Sequence, residues 1–243
     1  MIRLLLLAAV ASSALAGVVH AADLPVAPAY YPNVVTPSPS YNWGGFYVGI
    51  NGGGSWITQN GIKITPGDSI QTSTQDSGFT GGGQIGYNWF VVPSFVFSVE
   101  GDFNALVNSD TVVTGKSSLK TENRFVTTLR DRFGLVADRF MIYATGGVAW
   151  GNEEYTRTQN SGTLHGATPG TVETASDTRL GWTAGAGVEY AFAPNWLARA
   201  EYLYVQLNSN NYTFPVSESH VQNGSEPISL VRVGVNYKFG FGG

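Results

Sequence analysis

Ile228-Ser229-Leu230-Val231-Arg232-Val233-Gly234-Val235-Asn236-Tyr237-Lys238-Phe239-Gly240-Phe241 is the stretch on which the fold turns. Val231, Val233, Val235, Tyr237, Phe239 and Phe241 take every second position, with Arg232, Gly234, Asn236 and Lys238 between them. Successive side chains of a β-strand point to opposite faces, so this alternation gives one apolar and one polar face. An amphipathic helix would instead repeat its apolar residues at i, i+3 and i+4.

The alternation recurs in seven earlier runs, approximately 44–57, 78–90, 95–106, 122–136, 139–151, 178–192 and 195–207. In the first, Phe46, Val48 and Ile50 oppose Tyr47, Gly49 and Asn51. In the third, Phe95, Phe97, Val99 and Phe103 oppose Ser98, Glu100, Asp102 and Asn104. All eight runs are long enough for the roughly 9–11 residues of a tilted membrane-crossing strand. Three connections are short: 91–94, Ala137-Asp138 and Ala193-Pro194. The other four, roughly 58–77, 107–121, 152–177 and 208–227, are polar and rich in Gly, Ser, Thr and Asn. Alternate connections of an up-and-down barrel fall on opposite rims, so one rim is trimmed and the other carries the long loops. Outer-membrane barrels have this plan, with short periplasmic turns, and an even strand number puts both termini on the periplasmic side. The expected fold is all-β, an eight-stranded antiparallel up-and-down transmembrane β-barrel with four long external loops. A soluble calycin-like barrel is the alternative, disfavoured by the confinement of long loops to one rim.

Composition narrows the function classes. Of 243 residues 43% are hydrophobic and 13% aromatic, while only 12% are charged, about half the usual ~25%. The 31 glycines lie mainly in the strand runs, where glycine permits tight bends and close backbone approach. So many aromatics exclude a disordered chain. The absence of cysteine excludes disulfide scaffolds, thiolate zinc sites and cysteine nucleophiles. A net charge of −4 without clustered Lys and Arg gives no reason to expect nucleic acid. The Gly-Gly-Gly triplets at 52–54 and 81–83 lack the following helix and Lys-Ser/Thr of a phosphate-binding loop. No cofactor or metal is expected.

Residues 1–21 read as a cleaved signal peptide. Arg3 supplies the positive charge, 4–11 the apolar run, and Val19-His20-Ala21 a small-residue cleavage site, with Ala22 an equally good last residue. The apolar run falls short of the ~20 residues of a membrane helix. Residues 22–42 contain Pro25, Pro28, Pro32, Pro37 and Pro39 and form a periplasmic spacer of extended chain. Residues 43–243 make the barrel.

All six tryptophans fall at strand ends. Trp56, Trp150 and Trp182 lie at the long-loop rim, and Trp43, Trp89 and Trp196 at the short-turn rim. All but Trp43 share the apolar parity, the arrangement of two aromatic girdles at the membrane interfaces. The opposite parity carries Glu100, Asp102, Arg124, Arg130, Arg132, Arg179, Glu189, Arg199, Glu201, Arg232 and Lys238. An eight-stranded barrel is just wide enough inside for side chains to fill it. These charges are therefore expected to pair, Glu100 or Asp102 with Arg130 or Arg132, and to plug the lumen. Asp131 breaks the scheme by falling on the apolar parity; a bulge would turn it inward.

Asn42-Trp43-Gly44-Gly45-Phe46-Tyr47-Val48-Gly49 after the Pro-rich leader resembles the start of the small alphaproteobacterial outer-membrane barrels. These are of the surface-antigen, RopB and hemin-binding-protein type, within the OmpA-like eight-stranded superfamily. The resemblance continues through 78–88, the Arg130/Arg132 pair, 143–151, 185–190 and the last strand. The terminal Gly242-Gly243 and Asp131 depart from the pattern. The resemblance implies an integral outer-membrane protein of a porin-labelled family, and hemin or another ligand at external Tyr155, His165, Tyr212 or His220.

The leading function is non-enzymatic: structural and surface-exposed, in contact with outer-membrane lipids and lipopolysaccharide, inserted by the barrel-assembly machinery, and monomeric. A narrow porin-like channel is the alternative. A lipid hydrolase would need a histidine set among a hydroxyl and a carboxylate; His220 beside Ser217-Glu218-Ser219 lies in an expected loop and does not define one. No catalytic residue is assigned.

Overall fold

Each alternating run becomes a strand in the computed structural model, and each strand pairs antiparallel with its neighbours. The structure describes residues 41–60, 62–65, 73–92, 94–114, 116–163, 166–218, 220–223 and 226–240. The strands are β1 Gly45–Asn60, β2 Ile62–Thr65, β3 Ser73–Val92, β4 Phe95–Thr114, β5 Ser117–Ala137, β6 Phe140–Gln159, β7 Val172–Ala191, β8 Trp196–Leu207, β9 Asn210–Thr213, β10 His220–Asn223 and β11 Glu226–Lys238. Eight of them close in the order β1-β11-β8-β7-β6-β5-β4-β3. Closure comes from β1 and β11, in register from Tyr47 opposite Lys238 to Ile57 opposite Ile228. Where all eight strands overlap, the closed ring leaves no edge and the backbone has partners on both sides, as lipid demands. Beyond that level Asn108 to Thr114 of β4 pair with β5 alone, and β7 before Gly181 pairs with β6 but not β8. β2, β10 and β9 make a separate small sheet from the segments 62–65, 220–223 and 210–213.

The apolar parity faces outward. Ile50, Phe79, Ile85, Phe103, Leu129, Phe133, Leu135 and Val233 are all exposed on the outer wall. An apolar surface so continuous belongs against lipid rather than water. Five tryptophans (Trp56, Trp89, Trp150, Trp182 and Trp196) are exposed with them.

The wall is taller than the sequence pattern suggests. β3 to β7 run 20 or 21 residues, about twice what a crossing requires. The segments 107–121 and 152–177, expected as loops, are largely strand: Asn108 to Thr114 pair with Ser117 to Asn123, and β6 and β7 pair as far as Thr158 with Val172. Above the lipid nothing requires an apolar outer face. The ladder therefore continues with Ser, Thr and Glu on both sides, and the period-two signal fades while the strand persists.

Two glycines are placed by inward-facing tyrosines. Tyr47 stands opposite Gly86, and Tyr143 opposite Gly187. A Cβ at either glycine would overlap the facing phenol ring. A strand glycine covered by a cross-strand aromatic is a device for holding register. Gly101 differs, since a Cβ there meets nothing closer than 3.9 Å. Gly187→Val is expected to destabilise the barrel by roughly 1–3 kcal/mol through overpacking, and Gly101→Ala to leave it unchanged. Urea unfolding of the folded protein, followed by tryptophan fluorescence, checks both.

Candidate functional site in the barrel interior

The inward parity stacks five layers from the short-turn rim to the long-loop rim. At the bottom Trp43, fully buried, packs with Val96, Met141, Tyr143, Ala191 and Leu197. Its indole N–H donates to the Asp138 carbonyl at 2.8 Å, and its own carbonyl accepts from Asn88 Nδ2 at 3.0 Å. Tyr41 N donates to Asp138 Oδ1 at 3.3 Å, and Tyr41 Oη to the Pro194 carbonyl at 3.0 Å. Asp138 occupies the left-handed region at φ 51°, as the tight hairpin between β5 and β6 requires. Trp43, expected in an outward girdle, is thus a lumen plug: it precedes β1, and free of the wall's alternation its ring folds under the ring of strands. Lys238, expected among the lumen ion pairs, is buried but donates to the Asn42 carbonyl, below the charged layer.

Above the plug lies the charged layer. Glu100 takes Arg130 at 2.6 Å, Arg132 at 2.8 Å and Arg199 at 2.7 Å, with the Tyr47 hydroxyl donating at 2.6 Å. Asp102 takes Arg130 at 2.7 Å and Arg232 at 3.3 Å. Glu201 accepts from Arg130 at 3.0 Å, from the Tyr143 hydroxyl at 2.7 Å, and from Arg199 and Arg232. Glu189 takes Arg132 at 2.6 Å. The Arg132 guanidinium stacks 3.9 Å over the Tyr143 ring. These four carboxylates and four guanidiniums are buried and balance in charge.

The third layer is apolar: Ile57, Leu106, Val126, Ala149, Leu203, Val205, Leu207, Ile228 and Leu230, none more than 6% exposed. Sequence reading missed it by assigning the inward parity to polar residues throughout. Its signal was the loss of alternation along Leu203-Tyr204-Val205, where both parities turn apolar.

The fourth layer is polar again. Arg179 binds Glu226 at 2.6 Å and also Glu153, which accepts from the Tyr155 hydroxyl; Asn123 reaches Glu226 at 3.4 Å. Tyr155, expected to face a ligand from an external loop, is instead buried in β6, because the segment that carries it continues the wall. The topmost layer pairs Arg157 with Glu173 at 3.1 Å. The other Glu173 oxygen accepts the backbone N–H groups of Val216 at 2.7 Å and Ser217 at 3.0 Å. Burial works to raise the Glu173 carboxyl, but Ser217, the Val216 N–H and Arg157 together hold it below the usual carboxylate range.

Arg124, expected in the lumen, lies outside. β4 pairs Ala105 with Phe125 and then Asn108 with Asn123, while β6 pairs Asn152 with Phe125 and Glu153 with Asn123. Arg124 is the extra residue of a β-bulge against β6, whereas on the other side it faces two residues of β4, Leu106 and Val107; across this irregularity the parity of β5 inverts. Val126, Thr128, Arg130 and Arg132 point inward below it, and Asn123, Thr121 and Leu119 above it. Arg124 itself pairs with Glu154 at 2.6 Å on the outer wall. Asp131 sits in unbroken ladders between Val99 and Gly146 and faces outward. His165 lies outside the described residues, as do the side chains of Tyr212 and His220, whose backbones pair in the small sheet.

The model of the outer membrane protein beta-barrel domain matches residues 3–239. A 31 kDa outer-membrane immunogenic protein of Brucella melitensis is 34% identical over 90% of this chain and 92% of its own length. A 22 kDa outer membrane protein of Rhizobium leguminosarum is 29% identical over 83% and 80%. Among solved structures, the crystal structure of Neisserial surface protein A aligns with a TM-score of 0.44 at 15% identity, covering 80% of this chain and 97% of that one.

Two outcomes follow from the layers. Arg130→Met leaves Glu100, Asp102 and Glu201 short of a cation and is expected to cost roughly 3–5 kcal/mol, whereas Arg124→Met, on an exposed pair, costs about 0–1 kcal/mol. Urea unfolding in lipid vesicles distinguishes them. The depressed Glu173 carboxyl contributes stability that is complete above the ordinary glutamate range and lost as pH falls through its lowered value. Once corrected for intrinsic base catalysis, the protection of the Val216 and Ser217 amides should therefore fall in acid, and Glu173→Gln should reproduce that loss at neutral pH.

Proposed function

The chain belongs to the outer membrane protein β-barrel family, and on that footing we propose that it is a non-enzymatic structural and surface-displaying barrel whose lumen passes no solute. The observation that carries this reading is the arrangement of two closures in series. Four balanced ion pairs' worth of charge fill one level, and nine apolar side chains fill the level above it. An ion crossing the ring would have to displace the first and then dehydrate against the second.

Residues 1–21 direct export and are removed, and residues 22–42 remain as a periplasmic spacer before Trp43. The outward Trp56, Trp150 and Trp182 mark the external membrane interface, and Trp89 and Trp196 the periplasmic one, so that β6 crosses the lipid over about residues 141–150. Outer-membrane lipids and lipopolysaccharide surround the wall. The extended β4 to β7 and the loops lift the chain's polar surface clear of the bilayer. The Brucella melitensis relative is described as immunogenic, and display of that raised surface is the role we extend to this chain.

Purified protein that shifts on a gel when boiled, and so is folded, is expected to give no reproducible conductance steps in planar bilayers. Regular steps from the same heat-modifiable material would overturn the closed-lumen reading in favour of a narrow channel.

A further inference from the structure

The fourth interior layer differs from the charged layer beneath it in one respect: its charges do not balance. Glu153 on β6 and Glu226, the first residue of β11, both bind the same terminal nitrogen of Arg179 on β7. All three side chains are 2% exposed or less. Two carboxylates gathered on one guanidinium nitrogen lie close to each other, and one positive charge faces two negative ones. Among the described residues no second cation touches either carboxylate. The other groups around the cluster do not supply one. Tyr155 on β6 donates to Glu153, and Asn123 on β5 donates to Glu226. Asp177 on β7 adds a further acid near Arg179. Lys120 pairs with Glu122, Arg124 with Glu154 on the outer wall, and Arg157 with Glu173 above. Glu153 Oε1 is buried with no hydrogen-bond partner, an expensive state for an ionised carboxylate.

We propose that Glu153 and Glu226 hold one proton between them, and that this proton latches the external mouth of the barrel. Two carboxylates that share a buried site do not both ionise readily, and a shared proton removes the excess charge at once. The latch has a mechanical consequence because of where Glu226 lies. The wall strand β8 ends at Leu207 and the next, β11, begins at Glu226. The cluster ties that starting point to β5, β6 and β7 across the ring. Loss of the proton sets two like charges side by side and frees the start of β11. The mouth is thus closed in acid and loosens as the medium turns alkaline.

The direction follows from linkage. The closed state carries one proton more than the open state, in which both glutamates ionise at their ordinary values. From the ordinary glutamate range up to the titration of the pair, the opening constant therefore rises about tenfold per pH unit. Above that point the rise ends.

The test is hydrogen exchange with mass spectrometry on the full-length folded barrel in detergent with EDTA, between pH 5.5 and 8.5. Rates are corrected for the intrinsic base catalysis of exchange. The amides of Glu226, Ile228 and Ser229 and those at 177–180 are expected to open with a slope near one proton, and those around Arg130 to show none. Glu226→Gln and, separately, Glu153→Gln are each expected to flatten the slope, with the heat-modifiable gel shift confirming that the variants fold. A wild-type slope of zero at 226–229 overturns the proposal without any variant. A full slope retained in either variant does so too. A pH response that appears only when magnesium or calcium replaces EDTA assigns the cluster to a metal ion instead and also overturns it.

Discussion

An eight-stranded ring leaves an interior only wide enough for side chains, so a charge carried there by the inward parity must meet an opposite charge rather than water. Glu100 shows how completely this is done: three guanidiniums and one phenol converge on its two oxygens. Each arginine in turn bridges different strands, Arg130 reaching β4 and β8 and Arg232 reaching the same two from β11. The layer therefore works as cross-bracing. Removing one member leaves several others uncompensated, which is why a buried network of this kind is worth more as a set than any pair within it.

The remaining architecture can be read as the answer to what that layer cannot do. Salt bridges alone would leave the two ends of the lumen open to solvent, which would hydrate and loosen them. Trp43 and its apolar neighbours close one end, anchored through Asp138. The leucine-rich layer closes the other. Between these two dry plugs the charges sit in a low-dielectric setting where each interaction is strong, provided that all of them are made.

How much of this was legible in the sequence depends on which constraint wrote each residue. Lipid on one side and a narrow lumen on the other force strict alternation, so the strands, their order and the outward face could be read directly from runs such as 95–106 and 228–241. Where only one constraint acts, the pattern weakens. Above the lipid the outer face is free to be polar, and the upper halves of β4 to β7 looked like loops. Inside, Leu203, Val205 and Leu207 obey the need to fill space rather than to alternate, so the apolar layer was hidden within an otherwise charged parity. Arg124 was misplaced for a different reason: a bulge shifts register by one residue and inverts everything beyond it. A bulge is a property of two neighbouring ladders at once and leaves no mark in the single strand that contains it. Trp43 lies outside the wall, where parity has no meaning.

The two buried polar clusters, on either side of the leucine-rich layer, differ in a way that depth explains. The lower one lies at bilayer depth, where neither water nor ions can correct an imbalance, and its four acids meet four bases. The upper one lies past Trp150 and Trp182 toward the long-loop rim, at Glu153 three residues after Trp150 in β6 and at Arg179 three residues before Trp182 in β7. There an excess carboxylate can exchange a proton with the medium through a small local opening, at a cost well below that of unfolding. A permanent fault at the lower level is in this way a tolerable and titratable one at the upper level. The wall that extends beyond the membrane thus does more than raise the loops, since it supplies a buried site that stays in communication with water.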